Sequence, residues 1–367
     1  MTTVMNHKSP TASHRPIMER LNVVTALVLG IALAVISYYL ASKFLPQNTE
    51  GSVMKTRHDQ IILIAMFGWF IGFMTGIGAL VAPVRWLMGK DLSHDENMYL
   101  AGKDAGTARY FRYTTDHKVV GIQYLVITMV IFGVGGILAM LIRTNLGHAE
   151  GGWLHPQAYN AVVGIHGIIM IVGTIIMVTG PFGNFIMPIM IGARDMAFPR
   201  LNALSFWLIV AALAPILSAF FLGGITTGWS AYNPLATQSP GGMDGYIMFI
   251  CIFAISTMVA GANITTTVVR MRAKGMTWTR TPIFIYGTVA SVALALPAFP
   301  VFFLSQVMSA MDRAAGTTFY DTRGGGSGWL YENLFWLMGH PEVYVILIPA
   351  VAALMDCLLY TSPSPRD

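Results

Sequence analysis

The chain has 367 residues, of which 55% are hydrophobic and only 11% are charged. This composition excludes an ordinary soluble domain and predicts a membrane protein. The formal net charge of +5 does not indicate nucleic-acid binding, because the basic residues follow the membrane topology described below.

Eight apolar stretches are long enough to cross a bilayer, which takes about 20 residues per helix. We therefore predict an all-α fold, a polytopic bundle of transmembrane helices. The first stretch is too long for a signal peptide and lacks a clear small-residue cleavage site, so we interpret it as a retained anchor. The predicted spans are 22–42, 61–84, 119–142, 159–190, 201–224, 245–269, 282–308 and 331–355.

Basic residues mark alternate connections of this bundle. They collect in the N-terminal tail and in the segments 85–118, 192–200 and 270–280, which together define what we call the basic end. The opposite end carries the loops 225–244 and 309–328, which are rich in Gly, Ser and Thr. The positive-inside rule predicts that the basic end and the N-terminus are cytoplasmic, in a multi-pass protein of the inner membrane.

Of the nine histidines, only His166 and His340 fall inside the predicted spans. A neutral imidazole in hydrocarbon needs a hydrogen-bond partner or a metal, such as a haem iron or a copper ion. Either histidine taken alone is equally well explained by a bond to a helix carbonyl. Two histidines at similar depth favour a cofactor site. Cys251 and Cys357 lie at apolar positions, which argues against a disulfide or a cysteine-ligated metal.

One stretch of the last span carries a His, a Glu and a Tyr in an otherwise apolar run. Trp336, His340 and Tyr344 are spaced four residues apart, so a helix places them in one stripe. Glu342 is rotated from His340 by about 200° and points elsewhere. Pro341 cannot donate to the carbonyl four residues earlier, which leaves a polar group inside the bundle. A metal ligand, a phenol and a buried acid on one turn indicate coupled electron and proton transfer.

The GHPEVY sequence at 339–344 resembles the signature of subunit I of the haem–copper terminal oxidases. The resemblance implies that residues 114–355 form the first six of the twelve helices of that fold. Residues 1–113 are then an N-terminal extension with two transmembrane helices and a cytoplasmic linker, and 356–367 a non-native or truncated tail. Other blocks that resemble the family, in its order, are TTDHKVVGIQY at 114–124, HGIIM at 166–170, FGNFIMPIMIGARDMAFPRLNALSFW at 182–207, TGWSAYNPLA at 227–236 and GANITTTVVRMR at 261–272.

The resemblance implies a role for each matching position at the cofactors, which in the family are copper and a low-spin and a high-spin haem. His166 matches a ligand of the low-spin haem, and Arg143 matches the arginine that bonds the formyl group of that haem, taken as haem A. His340 matches one of three copper ligands, and Tyr344 matches the tyrosine cross-linked to that ligand. Trp336 is implied to pack against the copper site.

The resemblance also implies a proton channel. Glu342 matches the acid at its inner end, and Asp195 matches its mouth. From the residues alone, Asp195 is better explained as part of a surface ion pair in a basic turn. The amide and hydroxyl side chains implied to line the channel are equally well explained by hydrogen bonds between helices or to their own helix backbone. The implied lining residues are Asn184, Asn202, Ser256, Thr257 and Asn263.

The implied function is the catalytic subunit of a proton-pumping oxidase that transfers electrons from cytochrome c to oxygen. Its implied partners are oxidase subunits II and III and the lipid bilayer. A nitric oxide reductase is disfavoured, because it typically lacks the tyrosine matched by Tyr344. A cofactor-free proton-coupled transporter that uses Glu342 and Asp195 is one alternative, and haem absorption would distinguish it. A quinol oxidase is another, but the positions matched to its quinone contacts are all apolar, at Val134, Leu138, Ala158 and Ala161.

The end of the chain departs from the family pattern. Only one of the three copper histidines is present, so we expect the 367-residue chain alone to be inactive. The final TSPSPRD sequence cannot extend a helix cleanly. We therefore expect the resemblance to end near Met355 and the tail to be unstructured after about Leu359.

Overall fold

The computed structural model describes residues 17–46, 51–102, 106–148 and 151–361, with the backbone alone for 17 and 51–56. Three basic residues of the topology prediction, Lys8, Arg15 and Lys103, lie outside the described residues. The predicted tail beyond Thr361 lies outside them as well.

Every regular element in the described part of the chain is helical, which confirms the predicted all-α bundle. Eight of the helices are long and apolar enough to cross a membrane, and α3, α4 and α8 are short connecting helices. The α-helices are α1 (Val23–Phe44), α2 (Gly51–Gly76), α3 (Val81–Leu87), α4 (His94–Leu100), α5 (His117–Leu146), α6 (Pro156–Met190), α7 (Pro199–Ser218), α8 (Leu235–Gln238), α9 (Gly242–Arg270), α10 (Ile283–Ala314) and α11 (Gly328–Thr361).

Several predicted boundaries were wrong. Helix α2 ends at Gly76 rather than at 84, because the chain turns at Gly78 with a φ of 89° and continues as the separate helix α3. The candidate span in α2 begins before the apolar run and includes His58, while His117 is the first residue of α5. The prediction that only two histidines lie inside spans was therefore wrong, since helices extend beyond their apolar runs.

The first two helices form a closely packed hairpin. A Cβ atom at Gly72 would lie 2.3 Å from the backbone oxygen of Leu29, and one at Gly76 would lie 2.5 Å from the Cα of Ala26. Only glycine permits such an approach, and small residues at an interface are how membrane helices pack without a hydrophobic driving force.

A buried ionic cluster ties this hairpin to the rest of the bundle at the opposite end. Arg313 of α10 donates to both carboxylate oxygens of Asp244 on α9, at 2.6 and 2.9 Å. Its guanidinium also donates to Asp59 of α2 at 3.1 Å. Nearer the basic end, the Trp69 indole of α2 donates to the Ala211 carbonyl of α7 at 2.9 Å. The first two helices are therefore packed as part of the bundle.

Candidate functional site

His166 lies in the first half of α6 and is partly buried. Its Nδ1 atom lies 2.9 Å from the backbone oxygen of Gly135 on α5. A carbonyl partner requires the proton on Nδ1, which leaves Nε2 unprotonated and able to bind a metal. Metal-ligating histidines usually have such an orienting bond, and the same bond also satisfies a structural imidazole.

The stripe of Trp336, His340 and Tyr344 lies on the surface of the bundle that the described residues form. The His340 and Tyr344 ring centroids are 4.8 Å apart, and Trp336 and Tyr344 are 41% and 43% exposed. Trp336 donates from its indole to the Tyr232 hydroxyl at 2.5 Å and packs edge-on against Trp229 at 5.9 Å. The fold thus brings the loop that precedes α8 onto the stripe.

Trp229 also contacts α6 beside His166. The neighbouring Gly167 has no side chain, and a Cβ atom there would lie 3.0 Å from the Cβ of Trp229. The two histidine regions of the sequence therefore meet at one tryptophan. Arg143 lies near the C-terminal end of α5, and its side chain is exposed.

Glu342 points away from the stripe and is only 5% exposed. Its Oε1 atom is buried without a hydrogen-bond partner. Burying a carboxyl oxygen without a partner costs free energy. A bond to ordered water or a functional role is therefore expected for Glu342. Val345, one turn further along α11, lines an internal cavity.

That cavity lies between α5, α6, α7, α9, α10 and α11, and it extends from Asn184 near the basic end to Val345. The volume open to the centre of a water-sized sphere is ≈ 40 Å³, which is room for about three waters at 10–15 Å³ each. The polar side chains that line it are Tyr124, Thr179, Asn184, Ser256, Thr257 and Ser291.

Three of these polar residues were predicted from the sequence and three were missed. Tyr124, Thr179 and Ser291 were missed, although a polar side chain inside an apolar span was the available signal. Which side of each helix faces the cavity becomes clear only from the packing of the helices. Asn202 and Asn263, which were predicted to line the channel, are buried outside the cavity wall.

Hydrogen bonds connect the cavity with the interior of α7. The Tyr124 hydroxyl donates to Ser205 Oγ at 2.9 Å, and Ser205 in turn donates to the Asn202 carbonyl at 2.8 Å. Ser256 donates to the Ser205 carbonyl at 2.7 Å. Asn184 Oδ1 and Asn202 Nδ2 are buried without a partner, which is where bonds to ordered water are expected.

Asp195 lies in the turn between α6 and α7, outside the spans. Its carboxylate accepts a hydrogen bond from the Met196 amide at 2.7 Å, and partial burial raises the pKa of the carboxyl above its usual range. Asn263 of α9 accepts from the Phe198 amide at 2.8 Å and donates to the Phe198 carbonyl. The Asn263 side chain therefore holds the turn in place.

Comparison with known proteins identifies relatives for the region after the first two helices. The family described as Cytochrome C and Quinol oxidase polypeptide I matches residues 119–365. This match extends to residue 365, so the prediction that the resemblance ends near Met355 was wrong. Asp356, the first residue of the predicted tail, accepts hydrogen bonds from the Ile283 and Phe284 amides at 3.0 and 2.8 Å, so it packs against the start of α10.

Three curated relatives illustrate the range of the family. Cytochrome c oxidase subunit 1 of Thermostichus vulcanus is 38% identical over 251 residues, which cover 68% of this chain and 46% of that protein. Heme-copper oxidase subunit I+III of Aeropyrum pernix is 38% identical over 257 residues, covering 69% of this chain and 31% of the relative. Ubiquinol oxidase subunit 1 of Acetobacter aceti is 38% identical over 260 residues, covering 69% and 39%. The chain spans less than half the length of each.

Proposed function

The chain belongs to the Cytochrome C and Quinol oxidase polypeptide I family, and from this membership we propose that it acts in the catalytic subunit of a proton-pumping terminal oxidase. Such an enzyme reduces oxygen to water with electrons from a reduced donor. The observation that supports proton transfer here is the polar cavity between Asn184 and Val345, which ends one turn from the buried Glu342. No ordinary packing role requires a buried acid beside a polar cavity that has room for water.

The proposed proton path uses side chains of this chain alone. Asp195 takes a proton at the basic end, and the amides of Asn184 and Asn202 orient the first waters through their unpaired atoms. Ser256 and Thr257 line the cavity further along, and Tyr124 and Ser291 complete its polar wall. Glu342 receives the proton at the far end. Asn263 positions the mouth by holding the turn at Phe198.

His166 fits a haem ligand. The Gly135 carbonyl fixes its tautomer and ring orientation, so that Nε2 is the available ligand atom. Haem would supply one-electron transfer at this position. Arg143 is proposed to contact the same haem.

His340 is proposed to contribute to a copper site, with Tyr344 as the neighbouring phenol and Trp336 as packing. One imidazole does not define a metal geometry. Within the described ranges, no group of three or more His, Cys, Asp or Glu side chains is placed to hold a metal ion. These residues do not by themselves fit a copper site, so we assign no reaction step to copper in this chain.

For the electron donor we propose cytochrome c, with ubiquinol as the alternative that one relative's name supports. Leu138 and Ala161 are each 6% exposed, and Ala161 packs against Gly224. With Val134 and Ala158 also apolar, none of the four matched positions can hydrogen-bond a quinol headgroup. Oxygen uptake with reduced cytochrome c and with ubiquinol, measured on the assembled oxidase, decides between the donors.

The proposed assembly places the basic end in the cytoplasm and the helices in the inner membrane, with oxidase subunits II and III as partners. The I+III relative is consistent with a subunit III partner. We propose residues 1–113 as an extension and 114–355 as the oxidase region.

Visible absorption of the assembled oxidase tests the central proposal. We expect Soret and alpha bands, and loss of the low-spin alpha band in His166→Ala but not in His148→Ala. His148 is a suitable control because it also bonds a backbone oxygen through Nδ1, at 2.9 Å, but lies exposed beyond the end of α5. An unchanged alpha band in His166→Ala would refute the ligand assignment, and the absence of any haem band would favour the transporter alternative.

A further inference from the structure

A second cavity, which we call the vestibule, lies against Asp195 at the basic end. Its volume by the same measure is ≈ 410 Å³, which is room for about 30 waters at 10–15 Å³ each. One wall is the turn from Asp195 to Leu201. The other wall is formed by Asn97 and Leu100 of α4 and by Thr115. All three lie before residue 119, where the family match begins.

This second wall is held together by its own contacts. The Arg112 guanidinium stacks 3.7 Å from the centroid of the Tyr99 ring and donates to the Tyr99 carbonyl at 2.8 Å. Thr114 Oγ1 and the Thr115 amide both donate to the Leu100 carbonyl, at 3.0 and 2.9 Å. Helix α4 and residues 112–115 therefore form one unit that can hold a fixed position.

Arg200 is the point where this unit meets the turn. Its guanidinium donates to Asn97 Oδ1 at 2.9 Å, and the Tyr113 hydroxyl donates to its backbone oxygen. The Asn97 amide nitrogen is used within its own helix, bonding the Ser93 carbonyl at 3.1 Å, so its oxygen is directed outward to the arginine. Arg200 and Asp195 line the same vestibule, yet the guanidinium is bound to the amide of Asn97.

We infer that α4 and Thr115 form the outer wall of the proton path to Asp195, and that Asn97 is a positioning residue that keeps the Arg200 guanidinium from pairing with the Asp195 carboxylate. This inference rests on the proposed function of Asp195 as the mouth of the channel. The step concerned is a proton transfer: the carboxylate accepts a proton from a vestibule water, and that water regains a proton from bulk solvent. Only O–H bonds change.

The electrostatic reason is direct. A guanidinium in contact with a carboxylate stabilises the charged form and lowers its pKa by about 1–3 units. An ion-paired Asp195 would carry a proton less often at a given pH. The other charges that act on Asp195 come from Asp116 and His117 at the start of α5. Neither of these is changed by substitution at Asn97.

Time-resolved proton uptake by the assembled oxidase in lipid vesicles, followed with a pH-sensitive dye, tests the inference. We expect Asn97→Leu to slow proton uptake about tenfold for each unit by which the pKa falls. Asn97→Gln keeps an amide acceptor for the guanidinium without adding a charge to the vestibule and should retain the normal rate. The double substitution Asn97→Leu with Arg200→Leu removes the competing cation and should restore uptake. Asp95→Asn, at an exposed position of the same helix that does not line the vestibule, is the matched control.

Two results would overturn the inference. The first is a normal uptake rate in Asn97→Leu with haem absorption intact. The second is a double variant as slow as Asn97→Leu, because that would show a structural defect rather than a misplaced cation. If Asn97→Leu does not assemble, Asn97→Ala removes the same acceptor with a smaller side chain. Asp195→Asn separates this inference from the proposed function: if it leaves uptake unchanged, the channel assignment itself fails.

Discussion

Removal of the Arg313 side chain should destabilise the bundle more than any other single change at the opposite end. The guanidinium is fully buried between Asp59 and Asp244 and also donates to the carbonyls of Ala236 and Ser239 at 2.7 and 3.0 Å. Arg313→Met would remove the guanidinium that lies between two buried carboxylates, and with it both bonds to Asp244 and the bond to Asp59. Breaking a buried ion pair from one side costs about 3–5 kcal/mol, and here one cation serves two anions.

Substitution of Asp59 should destabilise the bundle less than substitution of Arg313. Asp59→Asn leaves the two bonds between Arg313 and Asp244 intact, so the expected loss is about 1.5–3 kcal/mol, the value of one charge-assisted hydrogen bond. Arg323→Met is the matched control, because Arg323 pairs with Asp321 on the surface with 79% of its side chain exposed. That control should show no measurable change.

The assay is reversible unfolding in mixed detergent micelles, monitored by helical circular dichroism and repeated for each variant. The expected order of destabilisation is Arg313→Met, then Asp59→Asn, then Arg323→Met. Equal unfolding free energies for Arg313→Met and the wild-type chain would refute the account of the cluster. A larger effect for Arg323→Met than for Asp59→Asn would refute the assumption that burial determines the cost.

Three further predictions concern the site and the extension. Glu342→Gln should stop proton pumping in the assembled oxidase, measured as the proton-to-electron ratio in vesicles, and an unchanged ratio would contradict its role in the path. Gly72→Leu should separate α1 from α2, because an added Cβ atom would lie 2.3 Å from the Leu29 oxygen, and the separation is detected as loss of a disulfide engineered between the helices. Gly133→Leu, in open space on α5, tests for nonspecific effects. Because burial raises the pKa of Asp195, its contribution to stability is present below the usual carboxyl pKa and is lost as pH rises through the raised value. Asp195→Asn should therefore raise the melting temperature at neutral pH relative to acidic pH, and a parallel shift at both pH values would contradict this.

Long apolar runs determined the fold prediction, because each transmembrane helix satisfies its own backbone and its apolar length is read directly from the sequence. The stripe of Trp336, His340 and Tyr344 was predictable for the same reason, since it depends on spacing within one helix. Tyr124 and Ser291 were not predictable, because they reach the cavity only through the packing of separate helices. The pairing of Asn97 with Arg200 was also out of reach, since 103 residues separate them.

The ionic cluster at the opposite end has a consequence for biogenesis. Asp59 enters the membrane with the first hairpin, but the Arg313 guanidinium that donates to it follows 254 residues later. At about 5–20 residues per second, synthesis of that interval takes roughly 13–50 s. During this time the nascent hairpin is held by its glycine contacts and lacks its bond to α10, a helix that the ribosome has not yet made. Insertion of α10 is then the event that locks the first hairpin in place, so a ribosome stalled before Arg313 should leave that hairpin open to extraction by membrane proteases.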